Sequence, residues 1–311
     1  MAESEQANVY PPPHHIVRDL QVRVDRGHHV GSDGSDESAW AIRLPIVPAI
    51  ADATGRARIG VAAIIADMIA GQTAIREVSP AWIATSNLAL QVGELPSSGL
   101  LVGHPKVLRK GATTIVIEVR LDHHASLAGT DDPDAAAQTV GLSTLGFAIL
   151  PRRNALQAEL HRSRETGEDT VYAPAGAGFA KPLLEAIGVR WTSAAPGELG
   201  AGTCSAEVDL DPYLQNTLGA LQGGVVAILA EAAAERLAAT VFGAGVRVRG
   251  LELQYLKLGR KGPICARARE FARTAAGLIA RVELVDRGDG DALLTVATVW
   301  TERAAPAARP G

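Results

Sequence analysis

Segments in which hydrophobic and polar residues alternate recur in both halves of the chain and predict two sets of antiparallel β-strands. In the first half they cover residues 82–92, 100–108, 113–121 and 141–150. In the second half they cover residues 246–256, 264–271, 278–285 and 292–301. A further short strand is predicted before each set, at residues 41–46 and 205–210.

A stretch rich in Ala, Ile and Val lies between the short strand and the alternating segments of each half. It begins at Gly60 in the first half and at Gly223 and Gly224 in the second, and its length and composition predict a mostly apolar helix. An apolar helix must be buried, so we expect each sheet to wrap around its helix. The predicted fold class is α+β, with the same unit present twice.

The two halves also match residue by residue, which indicates an internal duplication. Residues 48–70 align with residues 212–234 without a gap, and eight of the 23 positions are identical. Ala-rich helices can align by chance, but nearly the same shift also pairs strand positions such as Leu88 with Leu251. We therefore predict domains at 15–150 and 180–303, tails at 1–14 and 304–311, and a linker at 151–179 with some helix near 156–164.

The composition is typical of a soluble globular protein, with 47% hydrophobic and 21% charged residues and a net charge of -4. The chain contains no run of basic residues, so the sequence does not predict nucleic-acid binding. The apolar stretch 225–241 is interrupted by Glu231, Glu235 and Arg236, which argues against a membrane span.

The N-terminus resembles a frayed tail more than a signal peptide, because it is acidic and Pro-rich. The two cysteines, Cys204 and Cys265, lack metal-ligand spacing, so we expect neither a disulfide framework nor a zinc site. These features predict a cytoplasmic protein.

The segment 216–231 resembles the hotdog-fold thioesterases of the 4-hydroxybenzoyl-CoA and phenylacetate-pathway type. Their motif is Asn, then Gly, then His-Gly-Gly, then a helix that carries Asp or Glu. Here the motif residues are Asn216, Gly219, Gly223, Gly224 and Glu231, and Gln222 replaces the histidine. The resemblance implies two tandem hotdog domains paired about a pseudo-two-fold axis, an acyl-CoA substrate, and further assembly into a homo-oligomer.

Thioester hydrolysis needs hydrogen-bond donors for the developing oxyanion and a carboxylate that activates water or attacks directly. The backbone N–H groups of Gly223 and Gly224 suit the first task, because they would lie unpaired at a positive helix end. Glu231 lies eight residues beyond Gly223, about 12 Å along the same helix. One carbonyl group cannot contact both, so each site must combine residues from both halves.

The resemblance therefore implies two unequal sites, provided that the two helices are antiparallel. The first combines Asp67 with Asn216, Gly223 and Gly224, and Thr85 falls where related thioesterases carry a hydroxyl residue that holds water. We expect this site to be the active one.

The second site combines Glu231 with Gly60, Ile59 and Asp52. It lacks a neutral amide donor, because Asp52 replaces Asn216 and would repel an oxyanion, and Arg58 replaces Gln222. We expect it to contribute little or nothing.

Two other functions remain open at the level of sequence. A non-catalytic acyl-CoA binding or sensing protein would follow if both sites are degraded, and a hydratase or dehydratase would need a histidine that the predicted helices lack. The paired histidines at 14–15, 28–29 and 123–124 do not predict a metal site, because adjacent residues on a strand face opposite ways. We expect no metal and no cofactor, and the sequence does not identify the acyl group.

Overall fold

Two long helices dominate the structure, which is a computed structural model that describes residues 10–30, 36–126, 137–152, 170–173, 178–191 and 205–303. They are α2 (Ile59–Glu77) and α4 (Gly223–Phe242). Two single-turn helices, α1 (Ile16–Asp19) and α3 (Leu183–Ala186), accompany them. Both long helices begin where the sequence predicts, and their residues are mostly buried.

Thirteen β-strands of the described residues form one continuous sheet around these helices. In the first half they are β1 (Arg23–Val30), β2 (Asp36–Pro45), β3 (Trp82–Val92), β4 (Leu100–Lys110), β5 (Thr114–His124), β6 (Gln138–Leu150) and β7 (Thr170–Val171). The later strands are β8 (Arg190–Trp191), β9 (Ala206–Val208), β10 (Val246–Tyr255), β11 (Ile264–Arg273), β12 (Leu278–Asp286) and β13 (Ala292–Arg303).

The order of the strands repeats in the two halves. From the centre outwards, the first half runs β3-β6-β5-β4-β2 and the second runs β10-β13-β12-β11-β9. The central strands β3 and β10 pair antiparallel, with Leu90 opposite Leu251 and Leu88 opposite Leu253. These are the leucines that the repeat aligns. The duplicated unit therefore includes the sheet as well as the helix.

The two long helices pack against each other in antiparallel orientation, and glycine permits their close approach. A Cβ atom added to Gly60 would lie 2.7 Å from Cα of Ile228, and one added to Gly224 would lie 2.1 Å from Cγ1 of Ile64. Gly60, near the start of α2, contacts Ile228 of α4, and Gly224, near the start of α4, contacts Ile64 of α2. The N-terminal part of each helix therefore packs against the other helix, a few residues after that helix begins. This is the arrangement that a site shared between the halves requires.

The predicted strands agree with the structure to within about five residues at their ends, and β1, β7 and β8 are additions that alternation did not indicate. The helix predicted at 156–164 and the terminal tails at 1–9 and 304–311 lie outside the described residues. Helix α2 is long and apolar enough to cross a membrane, but 78% of its apolar window is buried inside the protein. It is the core helix of the first half, so this is weak evidence for a membrane span.

The cysteine prediction is wrong at one point, because Cys265 on β11 is disulfide-bonded. The other cysteine of the chain, Cys204, lies outside the described residues. The spacing of the two cysteines along the sequence could not reveal this bond. The backbone N–H of Ser205 donates to the carbonyl of Ala266 at 2.7 Å, so the chain next to each cysteine is brought together by the sheet.

Candidate active site

A cavity of about 430 Å³ lies between the two halves, at the N-terminus of α4. Helix α2 lines one side of it with Asp67, Met68, Gly71, Gln72 and Ile75, and β3 contributes Thr85 nearby. The second half lines the other side with residues that include Asn216, Gln222, Gly223, Val226 and Tyr255. The sequence-predicted residues of the first site, except Gly224, therefore line one cavity.

Asp67 is the carboxylate of this cavity. Its Oδ1 atom accepts a hydrogen bond from the Thr85 hydroxyl at 2.9 Å, and Oδ2 lies 3.0 Å from the point where a Cβ of Gly223 would be. Burial raises the pKa of Asp67 from 3.8 to about 6, although the Thr85 hydrogen bond opposes the shift. A carboxylate with this pKa is ionised at neutral pH and is still basic enough to accept a proton.

The backbone N–H groups of Gly223 and Gly224 begin helix α4, where the helical ladder provides no partner. Within the described part of the chain, neither donates a hydrogen bond to a side chain, whereas Gln222 donates to Leu214 and Val225 to Gln222. Gly223 lines the cavity that contains Asp67. Gly224 differs from our expectation, because its main contact is the helix packing against Ile64 and it is not among the cavity-lining residues.

Asn216 lies in the turn before α4 and lines the cavity. Its Oδ1 atom accepts hydrogen bonds from the backbone of Leu218 at 2.8 Å and of Ala220 at 3.2 Å. The carbonyl side of the amide is thus committed to the turn. The amide nitrogen is the group that remains to donate to a ligand.

The equivalent position in the first half has the same local structure but a different charge. Oδ1 of Asp52 accepts hydrogen bonds from the backbone and hydroxyl of Thr54, both at 2.7 Å, and from the backbone of Arg56 at 3.2 Å. Asp52 therefore shapes a turn as Asn216 does, but it has no amide nitrogen to offer.

Glu231 occupies the helix end that would form the second oxyanion site. Its Oε1 accepts from the N–H of Ile59 and its Oε2 from the N–H of Gly60, both at 3.0 Å. These two groups correspond to the N–H groups of Gly223 and Gly224 in the repeat. Glu231 is 1% exposed. The donors of the second site are thus already bound to a side chain of the protein.

A buried cluster of charges surrounds Glu231. The Arg58 guanidinium lies 3.8 Å from Glu231 and 2.7 Å from Glu235. Burial raises the pKa of Glu231 and of Glu235, and the charge of Arg58 opposes both shifts. Although burial lowers the pKa of Arg58, the two carboxylates raise it overall, so the guanidinium stays charged. None of these residues lines the cavity.

The difference between the two helix ends follows from side-chain length. Glu231 reaches the two backbone N–H groups of α2, whereas Asp67, one methylene shorter, ends beside Gly223 without a hydrogen bond to it among the described contacts. Ile59 also fills the position that Gly223 leaves open, and it is 1% exposed. One end is therefore closed by the protein and the other is open to a ligand.

Sequence reasoning missed several polar residues of the cavity, among them Tyr255, Gln72 and Tyr172. The Tyr255 hydroxyl donates to the carbonyl of Gly223 at 3.0 Å, and burial followed by the nearby charge of Asp67 keeps its pKa well above the ordinary value. Gln72 and Tyr172 form a hydrogen bond at the side of the cavity. Only strand pairing and helix spacing bring these residues together, so no motif identifies them. Of the described residues that line the cavity, none is a histidine.

Comparisons with known proteins show what this fold is similar to. No protein-family model matches the chain, and no curated protein matches it in sequence. A "putative thioesterase II" from Thermobifida fusca YX is similar over 94% of this chain and 99% of its own, with a TM-score of 0.58 and 14% identity. The tesB protein of Mycobacterium avium subs paratuberculosis gives a TM-score of 0.56 at 11% identity, over 86% and 93% of the two chains.

A third solved structure carries the name of the fold. A protein of unknown function with a hotdog fold from Alicyclobacillus acidocaldarius gives a TM-score of 0.51 at 10% identity, over 88% of this chain and 96% of its own. Likeness at such identities establishes the fold. The predicted α+β fold of two tandem hotdog units is confirmed, whereas the particular thioesterase type that the motif resembles is not.

Proposed function

We propose that this protein is an acyl-CoA thioesterase whose active site combines Asp67 and Thr85 of the first half with Asn216 and Gly223 of the second. One observation carries the proposal: an ionisable carboxylate lies against an open helix N-terminus inside a cavity. The structural neighbour from Thermobifida fusca, which is named a putative thioesterase II, supports the same reaction.

In the proposed reaction, a water molecule held by Asp67 and the Thr85 hydroxyl attacks the thioester carbonyl carbon. Asp67 accepts a proton from the water as the new C–O bond forms. The carbonyl oxygen becomes negative and is stabilised by the N–H of Gly223, by the amide nitrogen of Asn216 and by the positive end of helix α4. Collapse breaks the C–S bond, and the proton passes from Asp67 to the departing sulfur, giving a free acid and CoA.

Direct attack by Asp67 is a second route, because a carboxylate can also act as a nucleophile and form an anhydride. The two routes differ in where the first oxygen of the product acid originates. In single-turnover hydrolysis in ¹⁸O-labelled water, attack by water places the label in the product acid. Direct attack, followed by attack of water on the Asp67 carboxyl carbon of the anhydride, leaves the label in Asp67 and transfers an unlabelled Asp67 oxygen to the product acid.

The two ends of the cavity suggest how the substrate lies. Along α2 the walls are buried and apolar, with Ile75, Trp82, Ile83 and Phe147, which suits the acyl group. At the other end the loop after β10 is exposed and carries Lys257 between Leu256 and Leu258. The Lys257 ammonium group pairs with Asp289 at 2.6 Å. An exposed cation at this mouth suits the phosphate groups of CoA, which would compete with Asp289 for it.

The test is hydrolysis of a panel of acyl-CoAs, followed with a reagent that detects the free thiol. Asp67→Asn should lower kcat by orders of magnitude, because it removes the base and nearly preserves the side-chain shape. Its repeat-related counterpart Glu231→Gln is the matched control and should retain most activity. If acyl-CoA binds in calorimetry but no thiol is released, the protein is a binding module instead.

We also propose that the double-hotdog chain assembles further into a homo-oligomer. Light scattering measures this directly, and a mass equal to one chain contradicts it.

A further inference from the structure

Gln72 is a buried polar residue in the apolar end of the cavity. It is 3% exposed and lies on α2, on the same side as Asp67, Met68, Gly71 and Ile75. Its Oε1 atom has no hydrogen-bond partner among the residues that the structure describes. A buried acceptor without a partner is costly, so its presence in a ligand cavity calls for a physical reason.

The Gln72 side chain has one hydrogen-bond partner, the Tyr172 hydroxyl, and the proton of that hydroxyl is itself without an acceptor among the described residues. The Nε2 atom of Gln72 donates to the Tyr172 hydroxyl at 3.1 Å. Because that hydroxyl oxygen accepts, its own proton remains to be donated, and it has no acceptor among the described residues. Tyr172 also lines the cavity. An acceptor and a donor thus lie next to each other at one point of the wall.

We propose that Gln72 and Tyr172 bind a hydroxyl group at the far end of the acyl chain, and that they select hydroxylated acyl-CoAs. A hydroxyl both donates and accepts, so it can satisfy Oε1 of Gln72 and the proton of Tyr172 together. If the Gln72 amide is turned over, its nitrogen becomes the free group, and a hydroxyl can accept from that instead. Neither a methyl nor a carboxylate end fits both arrangements.

The spacing along α2 sets the length of the acyl group. Gln72 follows Asp67 by five residues, which is about 7.5 Å along the helix axis. A hexanoyl chain or an arylacetyl group spans a comparable distance, so the hydroxyl belongs at the end of either. In the repeat, Gln72 aligns with Arg236, whose guanidinium donates to the Ser205 carbonyl at 2.9 Å. The fold itself therefore does not require a free amide at this position.

The experiment compares matched substrates that differ in one hydroxyl, and it rests on the proposed function. The pairs are hexanoyl-CoA with 6-hydroxyhexanoyl-CoA, and phenylacetyl-CoA with 4-hydroxyphenylacetyl-CoA. The unaltered protein should have a kcat/KM about 10- to 100-fold higher for the hydroxylated member of one pair. The pair that shows the preference also tells whether the hydroxyl is carried by a chain or by a ring.

Two variants test the residues. Gln72→Leu should abolish the preference or reverse it in favour of the unsubstituted member, and Tyr172→Phe should reduce it in the same direction. Thr73→Val is the matched control, because Thr73 is also buried on α2 but does not line the cavity. It should leave the substrate ratio unchanged. Because the readout is a ratio of two substrates, a general loss of stability in one variant does not imitate the result.

The outcomes separate this inference from the proposed function. Asp67-dependent hydrolysis of both members at equal rates, with no change of ratio in Gln72→Leu, overturns the inference alone. If none of the four thioesters is hydrolysed, the proposed function fails, and calorimetric affinities for the same four compounds then decide. Tighter binding of a hydroxylated member that Gln72→Leu removes would still support the inference, and equal affinities would overturn it.

Discussion

Replacing Asp67 by Asn should make the protein more stable while removing its activity. Burial disfavours the charged form of Asp67 and raises its pKa from 3.8 to about 6. The neutral form of the group therefore favours the folded state below pH 3.8, and this contribution is lost as the pH rises through 6. Above pH 6 the folded protein bears the full cost of the buried charge. Asparagine has nearly the same shape and no charge, so it avoids this cost.

The magnitude follows from the shift. Since each pKa unit corresponds to about 1.4 kcal/mol, the rise to about 6 corresponds to a cost of about 3 kcal/mol at neutral and higher pH. Roughly half of it, on the order of 1.5 kcal/mol, develops between pH 5 and pH 8. The substituted asparagine can still accept the hydrogen bond from the Thr85 hydroxyl, so little is lost in exchange.

The assay is urea unfolding of the unaltered protein and of Asp67→Asn at pH 5 and at pH 8, with kcat measured on the same samples. The stability of the variant relative to the unaltered protein should increase between the two pH values, while its kcat stays orders of magnitude lower. Thr85→Val is a useful control, because it removes the hydrogen bond and keeps the charge. A difference in unfolding free energy that does not change with pH would refute the reasoning, since it would mean that burial does not perturb Asp67.

The remaining predictions concern the two helix ends and the conditions of the reaction. Glu231→Gln should keep most activity, because Glu231 does not line the cavity and its two hydrogen bonds are to Ile59 and Gly60; kcat measures this. Gly223→Ala should fold yet lose most activity, because its Cβ would lie 3.0 Å from Asp67; circular dichroism and kcat decide. The kcat/KM should rise to a plateau with a midpoint near pH 6 as Asp67 ionises, and an activity that falls through this range would contradict a carboxylate base. Chelator should not change the rate, and a loss that zinc restores would overturn the mechanism.

Much of the fold could be predicted from the sequence because its signals are local or repeated. Alternation indicated the strands from β3 to β6 and from β10 to β13, and the aligned glycines Gly60 and Gly224 marked where the two long helices begin. The motif around Asn216 and Gly223 then identified one end of the site. The repeat identified the carboxylate of the site, because it aligns Asp67 with Glu231 in the sequence.

What the sequence did not reveal depends on distances of a few ångströms. Asp67 and Glu231 look interchangeable in the alignment, yet one additional methylene allows Glu231 to bind both helix-end N–H groups. Tyr255, at the end of β10, and Tyr172, in the residue after β7, reach the cavity from parts of the chain that are far apart in sequence. The disulfide of Cys265 likewise has no signature in the spacing of the two cysteines.

The closure of one helix end by Glu231 is possible only because the two halves belong to a single chain. In a dimer of two identical subunits, every residue would occur in both sites, so an isoleucine at the position of Ile59 would also fill the place of Gly223. A long carboxylate would likewise bind the helix ends on both sides and leave no donor for a substrate. With the halves fused, each position can differ from its counterpart. The N-terminus of one helix can then be bound by a side chain of the protein, while the N-terminus of the other stays available to a substrate.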